Sequence, residues 1–407
     1  MTPSPASLPE SRNDSGASGA SGATGIVPAL AGLAALAVAM GIGRFAFTPV
    51  LPMMLQDAGL SLAAGGWLAS ANYVGYLLGA LSAMRIRLRP ETAIRAGLLA
   101  IGFTTLAMAA QLPLAAWAAL RLVAGVASAW VLISVSAWCM ENLSRYQRPF
   151  LNSVVFAGVG TGIAAAGLLC LALMQMHAAS PTAWLCLGAL AAGITLLVWR
   201  LFRPQAHDAA EKAPAGAGSD TVSGAAAGGF RWNARAVRLV ACYGIFGFGY
   251  IIPATFIPVM ARQALQGSGA FGWSWPVFGL AAALSTLAVA ALVSRMGNRR
   301  LWMACHFIMA AGILAPVLWS GLPAIFAAAL CVGGTFMVIT LAALQEAKRS
   351  AGRNATVLLA AMTSAFAAGQ IVGPLTVGGG SFSGGLIVAA ALLAAGGAVL
   401  AMERDAP

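Results

Sequence analysis

The sequence has very little charge: of 407 residues only 8% are Asp, Glu, Lys or Arg, with 11 acidic and 23 basic residues and three histidines. Apolar runs of 18 or more residues carry no charge, which excludes water as the solvent of most of the surface and points to a polytopic membrane protein. The net charge of +12 would suggest nucleic acid in a soluble chain, but these basic residues lie between apolar segments, so they report orientation and no nucleic-acid partner is expected. The six cysteines, Cys139, Cys170, Cys186, Cys242, Cys305 and Cys331, fall inside apolar runs with no C-x-x-C spacing and no shared loop. That excludes a disulfide framework or a metal site and leaves them as small core hydrophobes. Nucleophile–base pairs, metal clusters, cofactor boxes and a soluble domain are also missing, so a membrane enzyme or sensor is disfavoured and no cofactor is expected. A cleavable signal is absent from the pattern: residues 1–25 are rich in Ser, Gly, Ala and Pro, and the apolar stretch that follows is too long for a signal core. Residues 1–25 are therefore expected to form a disordered cytoplasmic tail.

What the chain does have is a long-period repeat. The stretch Gly41-Ile42-Gly43-Arg44-Phe45-Ala46-Phe47-Thr48-Pro49-Val50-Leu51-Pro52-Met53-Met54 returns as Gly247-Phe248-Gly249-Tyr250-Ile251-Ile252-Pro253-Ala254-Thr255-Phe256-Ile257-Pro258-Val259-Met260. Gly41, Gly43, Pro52 and Met54 all recur at a shift of 206, as does Trp67 at Trp273, while Glu141 finds Glu346 at a shift of 205. One half is a degenerate copy of the other. In a very apolar chain such a period is the signature of transporter folds built from two related bundles, with the solute site between them at mid-membrane.

A membrane helix needs about 20 apolar residues, and cutting the apolar runs at their turn-forming or charged breaks yields twelve spans. They run 26–54, 62–84, 92–110, 114–140, 150–176, 182–202, 237–261, 273–296, 301–319, 322–345, 355–375 and 382–402. The expected organisation is a tail over 1–25, a six-helix bundle over 26–202, a flexible Ala-Gly-Ser-rich cytoplasmic loop over 203–234, a second bundle over 235–402 and a tail over 403–407. With the amino terminus inside, 20 of the 23 Lys and Arg fall on the inner side and only Arg262 on the outer, so the positive-inside rule places both termini in the cytoplasm. The expected location is a bacterial inner membrane. The sequons at Asn142 and Asn354 then face the cytoplasm and are chance matches.

Twelve spans, a long central loop and the half-to-half repeat resemble the major facilitator superfamily across residues 26–402. Several segments are similar to its bacterial YbfB/YjiJ-like branch: Gly41-Ile42-Gly43-Arg44-Phe45 with Thr48-Pro49, Asn72-Tyr73-Val74-Gly75-Tyr76-Leu77, and Gly247-Phe248-Gly249-Tyr250 with Ala254-Thr255-Phe256. So are Gly333-Gly334-Thr335-Phe336-Met337, Met362-Thr363 and Gly369-Gln370-Ile371-Val372-Gly373-Pro374. The resemblance implies an all-α fold of two pseudo-symmetric six-helix bundles and secondary-active transport by a rocker-switch motion, but brings no substrate. The loop after the second span departs from the superfamily pattern. Gly79-Ala80-Leu81-Ser82-Ala83-Met84-Arg85-Ile86-Arg87 lacks the usual Asp, and Ser294-Arg295-Met296-Gly297-Asn298-Arg299-Arg300 has Ser in its place. Glu141 and Glu346, at the inner ends of the fourth and tenth spans, are candidates to supply carboxylates to the clusters around Arg85 and Arg295 instead.

Arg44 is the sharpest candidate for solute contact. An Arg near the bilayer centre costs about 2.5 to 3.5 kcal/mol on insertion scales and normally faces a watery cavity or a partner. The competing expectation is snorkelling to the outer interface. Its repeat mate Tyr250 would face the same cavity. Arg121 resembles the superfamily's helix-4 Arg, with a transport role and a structural one both open. The carboxylates lie at span edges, and His306 is expected to be a satisfied core group, so coupling falls to a proton held at Glu141 or to a counter-transported anion. Small residues four apart, Gly75/Gly79, Gly158/Gly162, Gly279/Ala283 and Gly369/Gly373, are expected at the sliding seam between bundles. Asn72, Tyr73, Tyr76, Thr335, Thr340, Thr363 and Gln370 are the groups expected to line the cavity, whereas Trp130 and Phe156 read as packing. The expected protein is a monomer in the lipid bilayer, moving a small polar, anionic organic solute past Arg44, Asn72, Tyr76, Tyr250, Thr335 and Gln370. The alternative is an exporter of apolar or amphipathic compounds.

Overall fold

The computed structural model describes residues 25–86, 88–143, 149–203, 232–264, 269–319, 321–352, 355–377 and 382–402. Nearly all of the expected amino-terminal tail, the centre of the linking loop, the tail after Met402, Arg87 and the Ser144 and Asn354 sequon positions lie outside them. Among the described residues there is no strand. The helices are α1 (Ile26–Asp57), α2 (Leu62–Arg85), α3 (Pro90–Ala107), α4 (Leu114–Leu143), α5 (Pro149–Gln175) and α6 (Ser180–Val198), then α7 (Ala234–Ala264), α8 (Ser274–Met296), α9 (Asn298–Leu318), α10 (Leu322–Ala351), α11 (Ala355–Val372) and α12 (Ser383–Met402). Among the described residues ten helices are long and apolar enough to cross a membrane; α2 and α3, the other two, carry Asn72 and Tyr73 or Glu91 and Arg95 and pack on α4. Several helices run past the expected span ends, α7 back to Ala234 and α10 on to Ala351, because a helix continues into the polar interface where its hydropathy has already fallen.

The halves α1–α6 and α7–α12 meet along α1–α7, α2–α11 and α5–α8. The repeat becomes a spatial relation at α1 and α7. The Thr48 hydroxyl donates to the Ala254 carbonyl oxygen at 2.8 Å, and Arg262 donates to the Gln56 side chain; each pair is separated by 206 residues, the repeat shift itself. Elements related by a two-fold axis meet their own counterparts near that axis, so the pseudo-dyad passes between α1 and α7.

At the α5–α8 seam the backbones touch. A Cβ on Gly160 would lie 2.7 Å from the Gly279 carbonyl oxygen, and one on Gly279 would lie 2.7 Å from the Ala164 Cα. The small-residue pairs expected at the seam are, with one exception, elsewhere. Gly75 and Gly79 abut the backbone of Leu122 and Val126 on α4, Gly158 and Gly162 abut Leu33 and Ala37 on α1, and Gly369 and Gly373 abut Gly244 and Phe248 on α7. These close contacts hold each bundle together internally. Gly279 and Ala283 do face the seam, where they meet Gly160, two residues from the expected positions on α5 and so on the opposite face of that helix.

Helix alternation gathers Arg85, Arg95, Arg200, Arg235, Arg238, Arg295, Arg299, Arg300, Lys348 and Arg349 at one end of the bundles, with Asp57 and Arg262 at the other. Glu346 makes its ion pair with Arg235 on α7 at 2.8 Å, within its own bundle, rather than with Arg295. Arg235 lies across from Glu346 at the start of α7, whereas Arg295 is exposed at the end of α8. Glu141 and Arg85 are exposed at the same end.

Candidate functional site

The sequence Gly41-Ile42-Gly43 breaks α1. Residues Ala37–Phe45 form a π-helical segment, whose backbone pairs at the wider i→i+5 spacing, and several of its carbonyls also accept from donors outside the helix. Those donors come from α4 and α2. Arg121 donates to the carbonyl oxygens of Gly43 at 3.3 Å and Arg44 at 2.9 Å, Ser128 to Ala39 at 2.8 Å, and Asn72 to Gly43 at 3.3 Å and to Arg121 at 2.8 Å. Arg121 is 3% exposed. It supports the backbone that carries Arg44, and Phe47 covers its guanidinium at 4.9 Å from the ring centroid.

Arg44 is held in the middle of a 32-residue helix and is 2% exposed, so it does not snorkel. Its Nη2 donates to Gln370 Oε1 at 2.6 Å, and the Gln370 amide nitrogen donates to the Tyr250 hydroxyl. The amide therefore joins Arg44 to its own repeat mate across the two bundles. The guanidinium carbon lies 4.1 Å from the Tyr76 ring centroid, 5.1 Å from Tyr73 and 5.4 Å from Phe45, cation–π contacts that offset part of the cost of burying the charge. Arg44 Nε has no hydrogen-bond partner among the described residues.

Arg44 and Tyr250 stand at the head of a cavity of about 570 Å³ that runs between the bundles toward the Arg-rich end, where exposed Leu81, Ile133 and Ala360 border it. Beyond Arg44, on the opposite side, the bundles are bonded shut. Tyr73 pairs with Thr255 at 3.1 Å, Ser70 donates to the Ile371 carbonyl at 2.9 Å, and Arg262 donates to the Pro52 carbonyl at 2.6 Å. The structure is thus closed at the Arg262 end and open at the Arg-rich end.

Of the expected solute-contact residues, Arg44, Tyr76 and Tyr250 line the cavity, and so do Thr340 and Thr363. Asn72 and Gln370 are fully buried behind that lining, and the Thr335 hydroxyl is turned back on the Cys331 carbonyl of its own helix. Phe156 packs against the core as expected and also lines the cavity, together with Phe336, Phe366 and Tyr243. The usable signal for these aromatics was the scarcity of tyrosine: four of the five tyrosines, Tyr73, Tyr76, Tyr243 and Tyr250, gather around Arg44 and this space. His306 is remote from the cavity lining, fully buried with Nδ1 3.2 Å from the Trp302 carbonyl oxygen.

Substituting Arg121 by Gln removes its bonds to the Gly43 and Arg44 carbonyls, of which Gly43 keeps the bond from Asn72. Bonds from a charged donor contribute about 1.5 to 3 kcal/mol each, so the expected result is a loss of about 3 kcal/mol or more of stability in detergent-monitored unfolding, with partial recovery in Arg121→Lys.

Twelve helices in two dyad-related bundles enclosing a central cavity open at one end define a multi-pass membrane transporter of the major facilitator fold, not an enzyme. The chain belongs to the family described as "Uncharacterised MFS-type transporter YbfB", whose profile matches residues 36–404. Among solved structures it is similar to a crystal structure of a point mutant of the nucleoside transporter NupG, with a TM-score of 0.67 over 93% of this chain and 100% of that one. At 14% identity that likeness shows the fold alone. No curated protein matches.

Proposed function

We propose that this protein is a secondary-active transporter that carries a small organic anion across the inner membrane of a bacterium by rocker-switch alternating access. The observation that carries the reading is Arg44, a 2% exposed cation at the head of the central cavity, bonded to a neutral amide and facing a lining in which no acidic side chain is found among the described residues. An anion entering from the open end neutralises that charge in a medium of low dielectric, where a charge–charge attraction far exceeds its value in water. Arg44, Tyr76 and Tyr250 contact the solute, while Gln370, Asn72 and Arg121 hold them in place. The distribution of 20 Lys and Arg on one side and one on the other supports a cytoplasmic placement of both termini, which makes the present conformation inward-facing. A counter-transported anion, rather than a proton carried on a cavity carboxylate, is the coupling that fits this lining. The transporter acts as a monomer, since the cavity is complete within one chain.

The apolar wall also favours a second reading, export of amphipathic compounds. A thermal-shift panel separates the two: small organic anions, neutral sugars and cationic amphiphiles, each against the wild type and Arg44→Gln. A ligand at 100 times its Kd stabilises by about 2.7 kcal/mol. Stabilisation by anions that disappears in Arg44→Gln supports the proposal; equal stabilisation of both proteins by amphiphiles favours the exporter.

The outer closure gives a further expectation. Arg262→Ala removes the bonds to Pro52 and Gln56, and if the pair contributes about 1.4 kcal/mol the outward-facing population rises roughly tenfold. The check is labelling of a cysteine introduced at Thr48 by a membrane-impermeant thiol reagent, which should accelerate in the Arg262→Ala background.

A further inference from the structure

We infer that the solute is a monoanion with a flat, apolar body, the chemistry of an aromatic carboxylate, rather than the small polar solute that the charge of Arg44 alone would suggest. The inference rests on the anion reading above and adds what the rest of the cavity requires. The wall contributed by the second bundle is a ribbon of nearly parallel rings. Tyr243 stacks on Phe366 with centroids 5.0 Å apart, Phe366 on Tyr250 at 5.7 Å with planes 9° apart, and Tyr250 on Phe336 at 5.8 Å with planes 3° apart. Three helices, α7, α10 and α11, are needed to assemble it. From the first bundle, Met40, Phe156 and Tyr76 face the same space. Phe366, Phe156 and Tyr76 are only partly buried, so parts of their surfaces remain free to cover a ligand.

Two features set the class. Among the described residues the lining holds a single charged side chain, Arg44, with an unpartnered Nε, so one negative charge is matched; a second carboxylate on the solute would be desolvated against the rings and aliphatic side chains described there. Parallel offset rings are the preferred geometry for adding another ring, and an aromatic pair contributes about 0.5 to 1.5 kcal/mol beyond its buried area. A carboxylate on Arg44, with the Tyr250 hydroxyl beside it, leaves the body of the solute lying along the Phe366 side of the ribbon.

Calorimetric titration of the detergent-purified full chain tests this with benzoate and 2-naphthoate as flat monoanions, cyclohexanecarboxylate as a monoanion that is not flat, succinate as a dianion and benzamide as a neutral flat body. Benzoate or 2-naphthoate is expected to bind about tenfold more tightly than cyclohexanecarboxylate, equivalent to about 1.4 kcal/mol. Phe366→Leu and, independently, Phe156→Leu are expected to reduce that preference, with folding checked by monodispersity and thermal unfolding, and Arg44→Gln is expected to abolish binding. If succinate or cyclohexanecarboxylate binds as tightly as the aromatic acids and this binding is lost in Arg44→Gln, the flat-body inference falls while the anion reading stands. If benzamide matches benzoate and Arg44→Gln changes neither, both fall. Failure of every probe to bind overturns the flat-monoanion class and leaves the broader anion reading to the thermal-shift panel.

Discussion

Arg44→Gln is expected to lower binding and flux of the organic anion by about a hundredfold or more while leaving the folded protein at least as stable as the wild type. Removing one partner of a desolvated charge pair typically costs 2 to 5 kcal/mol or more in affinity, and each 1.4 kcal/mol is tenfold. The ground state behaves differently. Empty, the cavity holds a cation that donates to neutral Gln370 and lies against the rings of Tyr76, Tyr73 and Phe45, with no carboxylate in the lining among the described residues. A buried charge with only neutral partners carries a desolvation cost that a neutral amide does not, and functional sites commonly hold such destabilising groups. Opposite signs for the two effects distinguish a solute ligand from a structural arginine. Arg121, by contrast, should lose stability and function together, because its bonds go to backbone carbonyls and not to the cavity.

The second large effect is expected at Gly160→Val. The backbones of α5 and α8 approach so closely that even a Cβ would collide with Ala283 and with the Gly279 carbonyl. Overpacking a relaxed core costs about 1 to 3 kcal/mol, and here the obstructing atoms are backbone, which has no rotamer to yield, so the cost lies at or above the top of that range. Because Gly160 touches the other bundle and Gly158 touches its own, the two positions should differ in kind. Gly160→Val is expected to abolish transport and free the bundles from one another, seen as a split or broadened unfolding transition. Gly158→Val disrupts the α1–α5 packing and is expected to lower the stability of the amino-terminal bundle itself.

The contrast between Gly158 and Gly160 also shows why the candidate site was only partly legible in the sequence. Hydropathy fixes where a helix crosses, and the recurrence at a shift of 206 residues fixed the pairing of α1 with α7 so closely that Thr48 and Ala254 are bonded. Neither fixes rotation about the helix axis, and two residues along a helix turn through more than half a circle. Phe366 and Gln370, four residues apart, share one face of α11, so depth along the helix and not rotation separates them. Polarity drew attention to the amide, yet the amide is buried behind the lining and the ring one turn earlier faces the space. Thr335 was misleading for another reason, since a hydroxyl can satisfy itself on its own helix, as this one does at Cys331. The π-helical segment left a trace only in Gly41 and Gly43, because its stabilising donors Arg121, Ser128 and Asn72 are remote in sequence. Arg44 was legible because a charge within an apolar span has few tolerable environments.

The most direct test of the account is counterflow in proteoliposomes preloaded with unlabelled benzoate, following entry of the labelled anion through the wild type and through Arg44→Gln at equal reconstituted amounts. The account predicts saturable uptake that overshoots equilibrium in the wild type and is absent from Arg44→Gln. Uptake at the same rate through both proteins would contradict it.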